Sequence, residues 1–258
     1  MSHHSYIKVK KEGSVAKLYL NRPQQLNALH RAMVEEIVTA LEHLDGDEEV
    51  RVIILLGKGK TFAAGADIDE MMEADPIQLE QLNQFAVWDR IRLIKKPLLA
   101  AVHGVALGGG FELALHCDLI FAAADARFGF PEVKLGVMPG AGGTQYLTKA
   151  VGKHRALQWL WSGEMLEATL LWQAGLIVRL FPEQELEQEV TIYAQRLASQ
   201  APLALRLIKE AVNKAQDLPL VEGMAWERKN FYLLFASQDQ KEGMRAFKAK
   251  RSPRFTGR

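Results

Sequence analysis

The chain has 258 residues, 48% of them hydrophobic and 24% charged, enough to bury a full-sized core as one domain or one domain with a small appendage. A formal net charge of +1 offers no general attraction to nucleic acid or to an acidic membrane. The single cysteine excludes an internal disulfide framework, and no stretch reaches the roughly 18 uninterrupted apolar residues that a membrane span needs.

Residues 6–10 and 15–20 alternate as paired strands do, about a turn at Glu12-Gly13. The segment before them has no secretory apolar region, so a cytoplasmic location is expected unless a cleaved targeting peptide precedes it. Asn21-Arg22-Pro23 ends the second strand, because proline removes a ladder donor. Leu29, Met33, Ile37, Leu41 and Leu44 fall at helical spacing over residues 29–44. Residues 50–56, 98–102 and 119–123 are continuous apolar runs, the pattern of strands buried on both faces. Helical patterns separate them, notably over 76–94, and the alternation predicts an α/β core of crossover units.

From about Lys153 the chain reads as helix over 154–161, 166–173, 183–199, 202–216, 218–236 and 240–250, with one strand at 176–180. Trp226, Phe231, Tyr232, Leu234 and Phe235 form a dense apolar set in one of these helices. Core packing is the first explanation for that set, a subunit interface the second. Cys117, in an apolar run beside Asp118, reads as a small buried hydrophobe.

Two glutamates carry the chemical signal. Glu112 follows Gly108-Gly109-Gly110 and opens a helical stretch, while Glu132 follows Pro131. A triple glycine lets the backbone approach a ligand, and the helix start behind it leaves unbonded N–H groups facing that ligand. With a second carboxylate delivered to the same place, the pair suits chemistry in which a carbonyl oxygen gains charge while a proton moves nearby. The plainer alternative makes Glu112 a helix cap and Glu132 a surface residue. A second small-residue loop, FAAGADI over 62–68, follows a core strand and would turn the Ala66 N–H toward a ligand at the strand's carboxyl end. Asp67 there reads as a first-turn residue of a following helix. Two such loops can supply two N–H donors to one oxygen.

Other patterns fall away. Residues 136–144, GVMPGAGGT, have the composition of a phosphate loop without its lysine or spacing, and residues 104–110 lack the dinucleotide fingerprint. The seven histidines show no metal-ligand clustering, and Asp67, Asp69 and Glu70 read as solvated helix-start acids. No Gly-x-Ser-x-Gly occurs, and Arg90, Arg92, Lys95 and Lys96 read as a solvated helix face.

With both glutamates and both loops in hand, the chain closely resembles the crotonase (enoyl-CoA hydratase/isomerase) family, and within it the hydratases. The resemblance rests on Asn21-Arg22-Pro23, residues 62–68, Lys96-Pro97, residues 104–118 and 128–145, Ala174-Gly175-Leu176, and Phe247-x-x-Lys250-Arg251. It implies an α/β fold with a core of repeated ββα units over residues 1–195. A C-terminal helical region, 196–258, would follow and support a homotrimer or a dimer of trimers. It implies an oxyanion hole from the Ala66 and Gly109 N–H groups, with Glu112 and Glu132 holding and activating water. Coenzyme A, carried by an acyl-CoA thioester substrate, would lie along Arg22, Ala64, Gly65, Asp67 and Ile68. Phe247 and Lys250 of a neighbouring subunit would reach its adenine and phosphate end. The implied reaction is reversible syn addition of water to trans-2-enoyl-CoA in fatty-acid degradation, with no metal or other cofactor and with no nucleic acid or membrane partner. A family isomerase using one carboxylate is the alternative, and the family's RNA-binding branch, resting on the 90–96 basic stretch, a distant one. Residues 71–82 are expected to help shape the acyl tunnel. Two departures stand out: Phe130 where the family has glutamine, and Phe111 where it has a smaller residue. Phe130 is expected to alter the pocket's shape.

Overall fold

β1 (Ile7–Glu12) and β2 (Val15–Leu20) form an antiparallel hairpin whose turn takes Gly13 to φ 59°. The structure, a computed structural model, describes residues 4–72 and 75–258. α1 (Arg31–Gly46) is capped by His30, whose Nδ1 accepts from the Met33 N–H at 3.0 Å. Its apolar stripe, Met33, Ile37, Leu41 and Leu44, is buried as the spacing predicts.

β3 (Val52–Gly57) then pairs parallel with β2 and starts the inner sheet. The helical stretch expected over 76–94 is not one helix. It divides into α2 (Pro76–Leu82), α3 (Ala86–Asp89) and a 3₁₀ turn over Arg90–Leu93. The break is Asn83, which takes φ 39° and closes α2 as a left-handed cap. Of the stretch 71–82 expected to shape a tunnel, Glu73 and Ala74 lie outside the described residues.

β4 (Leu98–Val102) lies parallel to β3, and the chain then turns at Gly104 into β5 (Val105–Leu107). A side chain on Gly104 would lie 2.0 Å from the Lys60 carbonyl, so only glycine makes this bend. α4 (Gly109–Leu115), β6 (Leu119–Ala123) and β7 (Arg127–Gly129) follow, then α5 (Gly143–Val151) and α6 (Lys153–Ser162). The expected helix over 166–173 begins later. Leu166–Glu167 is a short strand, β8, pairing with β7, and α7 occupies Ala168–Gln173. β9 (Ile177–Phe181) closes the main sheet.

The strand order is β1-β2-β3-β4-β6-β9, parallel from β2 onward, with a second sheet of order β5-β7-β8. β5 follows β4 and β7 follows β6 from the main sheet into the second, so the ββα repeat is visible in β4-β5-α4. β3 and β4 are buried almost throughout, as their unbroken apolar runs require, and β2 is buried as well, with Lys17 paired to Glu12 and Glu187.

α8 (Glu183–Ala198) packs on the main sheet, and residue 195 therefore lies inside a helix. The helix ends at Ala198, and α9 (Pro202–Ala215) follows. α10 (Leu220–Leu234) and α11 (Gln238–Lys248) complete the chain. Core packing does not explain the aromatic set of α10: no residue of that helix is buried, and Phe231, Tyr232 and Phe235 are exposed. Among the described residues, no helix is long and apolar enough to cross a membrane.

Candidate active site

The loop of residues 62–68 runs beside the β5–α4 turn. Leu29 N–H donates to the Gly65 carbonyl and Asp67 N–H to the Leu29 carbonyl, so the strand-like pairing with Leu29 uses the groups on either side of Ala66. The Ala66 N–H is thereby turned to the opposite side. Gly109 opens α4 and its N–H has no acceptor within the helix. The two loops touch: a Cβ on Gly109 would lie 3.5 Å from the Ala66 nitrogen, and one on Gly110 would lie 2.3 Å from the Ala63 carbonyl. Gly65, at φ 116°, lets the first loop pass the Leu107 carbonyl at the same crossing.

Glu112 stands on the first turn of α4 with only 3% of its surface exposed. Its Oε1 accepts two backbone hydrogen bonds, from Ala141 and Gly143, each at 2.8 Å. The glycine-rich run 136–144, which lacks the lysine of a phosphate loop, cradles a group of the protein's own, the Glu112 carboxyl. Burial raises the pKa of Glu112, and the two N–H bonds pull it back.

Glu132 lies on the 3₁₀ turn Pro131–Leu135 that follows β7. Its Oε1 stands where a Cβ on Gly108 would be, 2.8 Å away, and its buried Oε2 has no hydrogen-bond partner within the protein. Burial first, and the nearby charge of Glu112 as a smaller cause, push its pKa up to about 7. The structure thus brings the two carboxyls together with unequal support: one fed by two amides of a facing loop, the other with its Oε2 bare and only its own backbone N–H beside it.

The remaining sequence-predicted positions divide. Arg22 is spent inside the protein, donating to the Ala28 carbonyl at 2.6 Å and pairing with Asp67 at 3.1 Å. Asp67 precedes the 3₁₀ turn Ile68–Glu70 but its side chain makes no cap bond there; it serves Arg22 instead. Ala64 N–H is bonded to the Leu26 carbonyl, and Ile68 is exposed. A cleft of about 530 Å³ opens beside Ala66 and Asp67, walled by Leu29, Met71, Phe85 and Trp88. Phe247, on α11, is 84% exposed, and neither it nor Lys250 lines that cleft. Of the basic stretch, Arg90 is engaged by Glu35 and Glu42, Arg92 by Asp217, and Lys96 by the Leu44 and Asp47 carbonyls. Cys117 is free and buried, and burial raises its thiol pKa. Among the described residues no group of three or more His, Cys, Asp or Glu is placed to hold a metal ion.

A model of the enoyl-CoA hydratase/isomerase family matches residues 10–258. The chain belongs to the enoyl-CoA hydratase/isomerase family. A solved structure from Geobacillus kaustophilus, an enoyl-CoA hydratase subunit I, is 61% identical and superposes with a TM-score of 0.98, covering 100% of both chains. A Mycobacterium tuberculosis protein named as a probable enoyl-CoA hydratase is 43% identical over 252 residues, 98% of each chain. The 2,3-dehydroadipyl-CoA hydratase of Escherichia coli is also 43% identical, over 250 residues, 97% of this chain and 98% of that one.

Against the family pattern the two departures turn out to be one feature. Phe130 and Phe111 stack on each other with centroids 4.8 Å apart, and Phe111 meets Phe128 edge-on at 5.1 Å. Phe130 is 1% exposed, so its ring fills the core beneath α4, and it is not among the residues that wall the cleft. Three positions were not read from the sequence. Asn27, fully buried at φ 55°, accepts from the Arg22 N–H and brings its amide nitrogen within 2.8–3.1 Å of the Lys58, Thr61 and Phe62 carbonyls, at the entry to the FAAGADI loop. Ala141 and Gly143 hold Glu112 across 29 and 31 residues of sequence. Composition carries no signal for such pairs, although the left-handed Asn27 and the Gly142-Gly143 pair marked turns.

Proposed function

We propose that this protein is an enoyl-CoA hydratase, adding water reversibly and syn to trans-2-enoyl-CoA to give 3-hydroxyacyl-CoA. The observation that carries the reading is the unequal support of the two carboxyls: two amides on Glu112 Oε1, none on Glu132 Oε2. Two amides favour the ionised form of Glu112, while a bare buried oxygen favours the protonated form of Glu132. Glu112 then takes a proton from the attacking water and Glu132 delivers one to the α-carbon. Ala66 and Gly109 N–H groups receive the enolate charge that develops on the thioester oxygen. Losing one such donor typically costs on the order of 10²–10³ in rate. The chemistry calls for no metal or redox cofactor, since coenzyme A arrives with the substrate.

The cleft beside Ala66 receives the thioester, and its apolar wall suits an acyl chain. Arg22 acts here by holding the Asp67 turn, so its contribution to coenzyme A binding is through that turn. Ile208 and Val212 of α9 and Leu220, Val221, Phe231 and Tyr232 of α10 are exposed apolar side chains, of the kind a subunit interface covers. Further copies cover them, as a homotrimer or a dimer of trimers, and light scattering of the purified protein tests that assembly. A neighbouring copy would also bring Phe247 and Lys250 to the coenzyme.

The test is the ultraviolet absorbance of crotonyl-CoA, which disappears when water adds across the conjugated bond. Wild-type protein is expected to remove it rapidly and to act far more slowly on 3-enoyl-CoA. Inactivity on both short and long trans-2-enoyl thioesters, with turnover of 3-enoyl-CoA, would make the isomerase reading the correct one.

A further inference from the structure

His116 lies one helical turn beyond Glu112, at the end of α4, so the two side chains leave the same side of that helix. Both reach one residue of the facing loop. Glu112 Oε1 accepts from the Ala141 N–H, and His116 Nε2 lies 2.9 Å from the Ala141 carbonyl oxygen. A carbonyl oxygen only accepts, so Nε2 carries the ring proton. Gly142, the next residue, takes φ 103°, and a Cβ there would lie 2.8 Å from the Tyr146 ring and 3.8 Å from His116 Nε2. The imidazole itself is held between Trp88, at 5.8 Å, and Tyr146, at 4.9 Å. Trp88 is also a wall of the cleft.

This inference rests on the hydratase reading and deepens it: we propose that His116 is a positioning residue, a neutral Nε2–H donor that clamps residues 141–143 so that two amides stay on Glu112 Oε1. Neutrality follows from the surroundings. Nδ1 is buried with no hydrogen-bond partner, so a proton there would go unpaired. Burial lowers the pKa of the ring, outweighing the Ala141 carbonyl and Asp89, which favour the cation, while Arg92 opposes it. Tyr146, packed on the ring from α5, has its own pKa raised by burial and stays a neutral phenol. A histidine whose proton is fixed on Nε2 holds the loop in the same way across the working pH range, which a titrating ring would not do.

The test uses the full chain as wild type, His116→Leu and His116→Gln. Glutamine can place an N–H near the Nε2 position and leucine cannot. In wild type, nitrogen-15 NMR of His116 is expected to show a neutral ring across about pH 5 to 8; a ring that titrates near its ordinary value of about 6.5 overturns the proposal. Carbon-13 NMR of the Glu112 carboxyl is expected to show its midpoint move upward by about one pH unit in His116→Leu and return in His116→Gln. An unmoved midpoint means His116 only fills space. On crotonyl-CoA, His116→Leu is expected to lose roughly tenfold or more in kcat with KM little changed, and His116→Gln to recover it. The NMR readouts need no turnover, so an inactive wild type sinks the hydratase reading and leaves the clamp decided by them. An active wild type matched by His116→Leu in kcat and in pH profile sinks the clamp alone. Should His116→Leu fail to fold, the wild-type ring titration still decides.

Discussion

Gly108 keeps open the space that the Glu132 carboxylate occupies: a methyl group there would stand 2.8 Å from Glu132 Oε1. The obstructing atom is the far end of a flexible side chain, so the protein can accommodate the methyl by swinging the carboxylate away. Gly108→Ala is therefore expected to fold, with a loss of about 1–3 kcal/mol from its φ of 48° and ψ of −123°, and to lose about a hundredfold or more in kcat. Steady-state kinetics beside a thermal melt checks this, and an active Gly108→Ala would mean Glu132 is not needed where it stands.

Gly110 gives the opposite outcome two residues along. A Cβ there would lie 2.3 Å from the Ala63 carbonyl and 2.8 Å from the Ala63 Cβ, and backbone cannot swing aside. Gly110→Ala is expected to separate the two small-residue loops and to cost at least about 1–3 kcal/mol, lowering the melting temperature by several degrees. A circular dichroism melt of Gly110→Ala beside wild type checks this, and an unchanged melting temperature would contradict it.

Glu132 also makes stability depend on pH in a definite direction. Its pKa rises from 4.5 in the unfolded chain to about 7 in the fold, so between those values the folded protein holds a proton that the unfolded chain has released. Stability from this group is complete below about pH 4.5 and is lost as pH climbs through about 7. Glu132→Gln has no such loss. Its melting temperature relative to wild type is expected to rise across that window, and a constant difference from pH 4 to pH 8, measured in steps of about one unit, would contradict the assignment.

The same proton governs activity. The active dyad carries one proton shared between two carboxyls, so its titration belongs to the pair. kcat/KM for hydration is expected to fall as pH rises through about 7, where Glu132 gives up its proton. The dehydration direction uses an equally protonated dyad and should follow the same curve. Rates in both directions over one pH series check this, and different upper limbs would contradict it.

Phe130 and Phe111 stack at 4.8 Å, so replacing only one of them should disturb the other. Phe130→Gln buries an amide among aromatic rings and is expected to cost about 1–3 kcal/mol by chemical denaturation. Combining it with a smaller residue at Phe111 is expected to depart from additivity. Simple addition of the two effects would show the rings to be independent.

The main sheet was legible because β3, β4 and β6 announce themselves as unbroken apolar runs and β1 and β2 as an alternating pair about a turn. β5, β7 and β8 were missed because strands of two or three residues hold too few side chains for any period to show. The helix over 76–94 was read too long because nothing in the apolar spacing marks Asn83 as left-handed. At the site, the glutamates and their loops stood out through glycine and proline. What holds Glu112, the amides of Ala141 and Gly143, is a contact between distant segments and depends on tertiary packing alone. The apolar set of α10 misled for a related reason: periodicity tells which residues avoid water and not whether the cover comes from the same chain.

The central claim is that two carboxyls share one water, and hydration of crotonyl-CoA by Glu112→Gln and Glu132→Gln beside wild type tests it most directly. Each substitution is isosteric and removes one proton carrier, so each is expected to slow hydration by roughly 10²–10⁴ with the fold intact. A variant that keeps activity within about tenfold of wild type, well short of what positioned proton transfer supplies, would contradict the shared-water account.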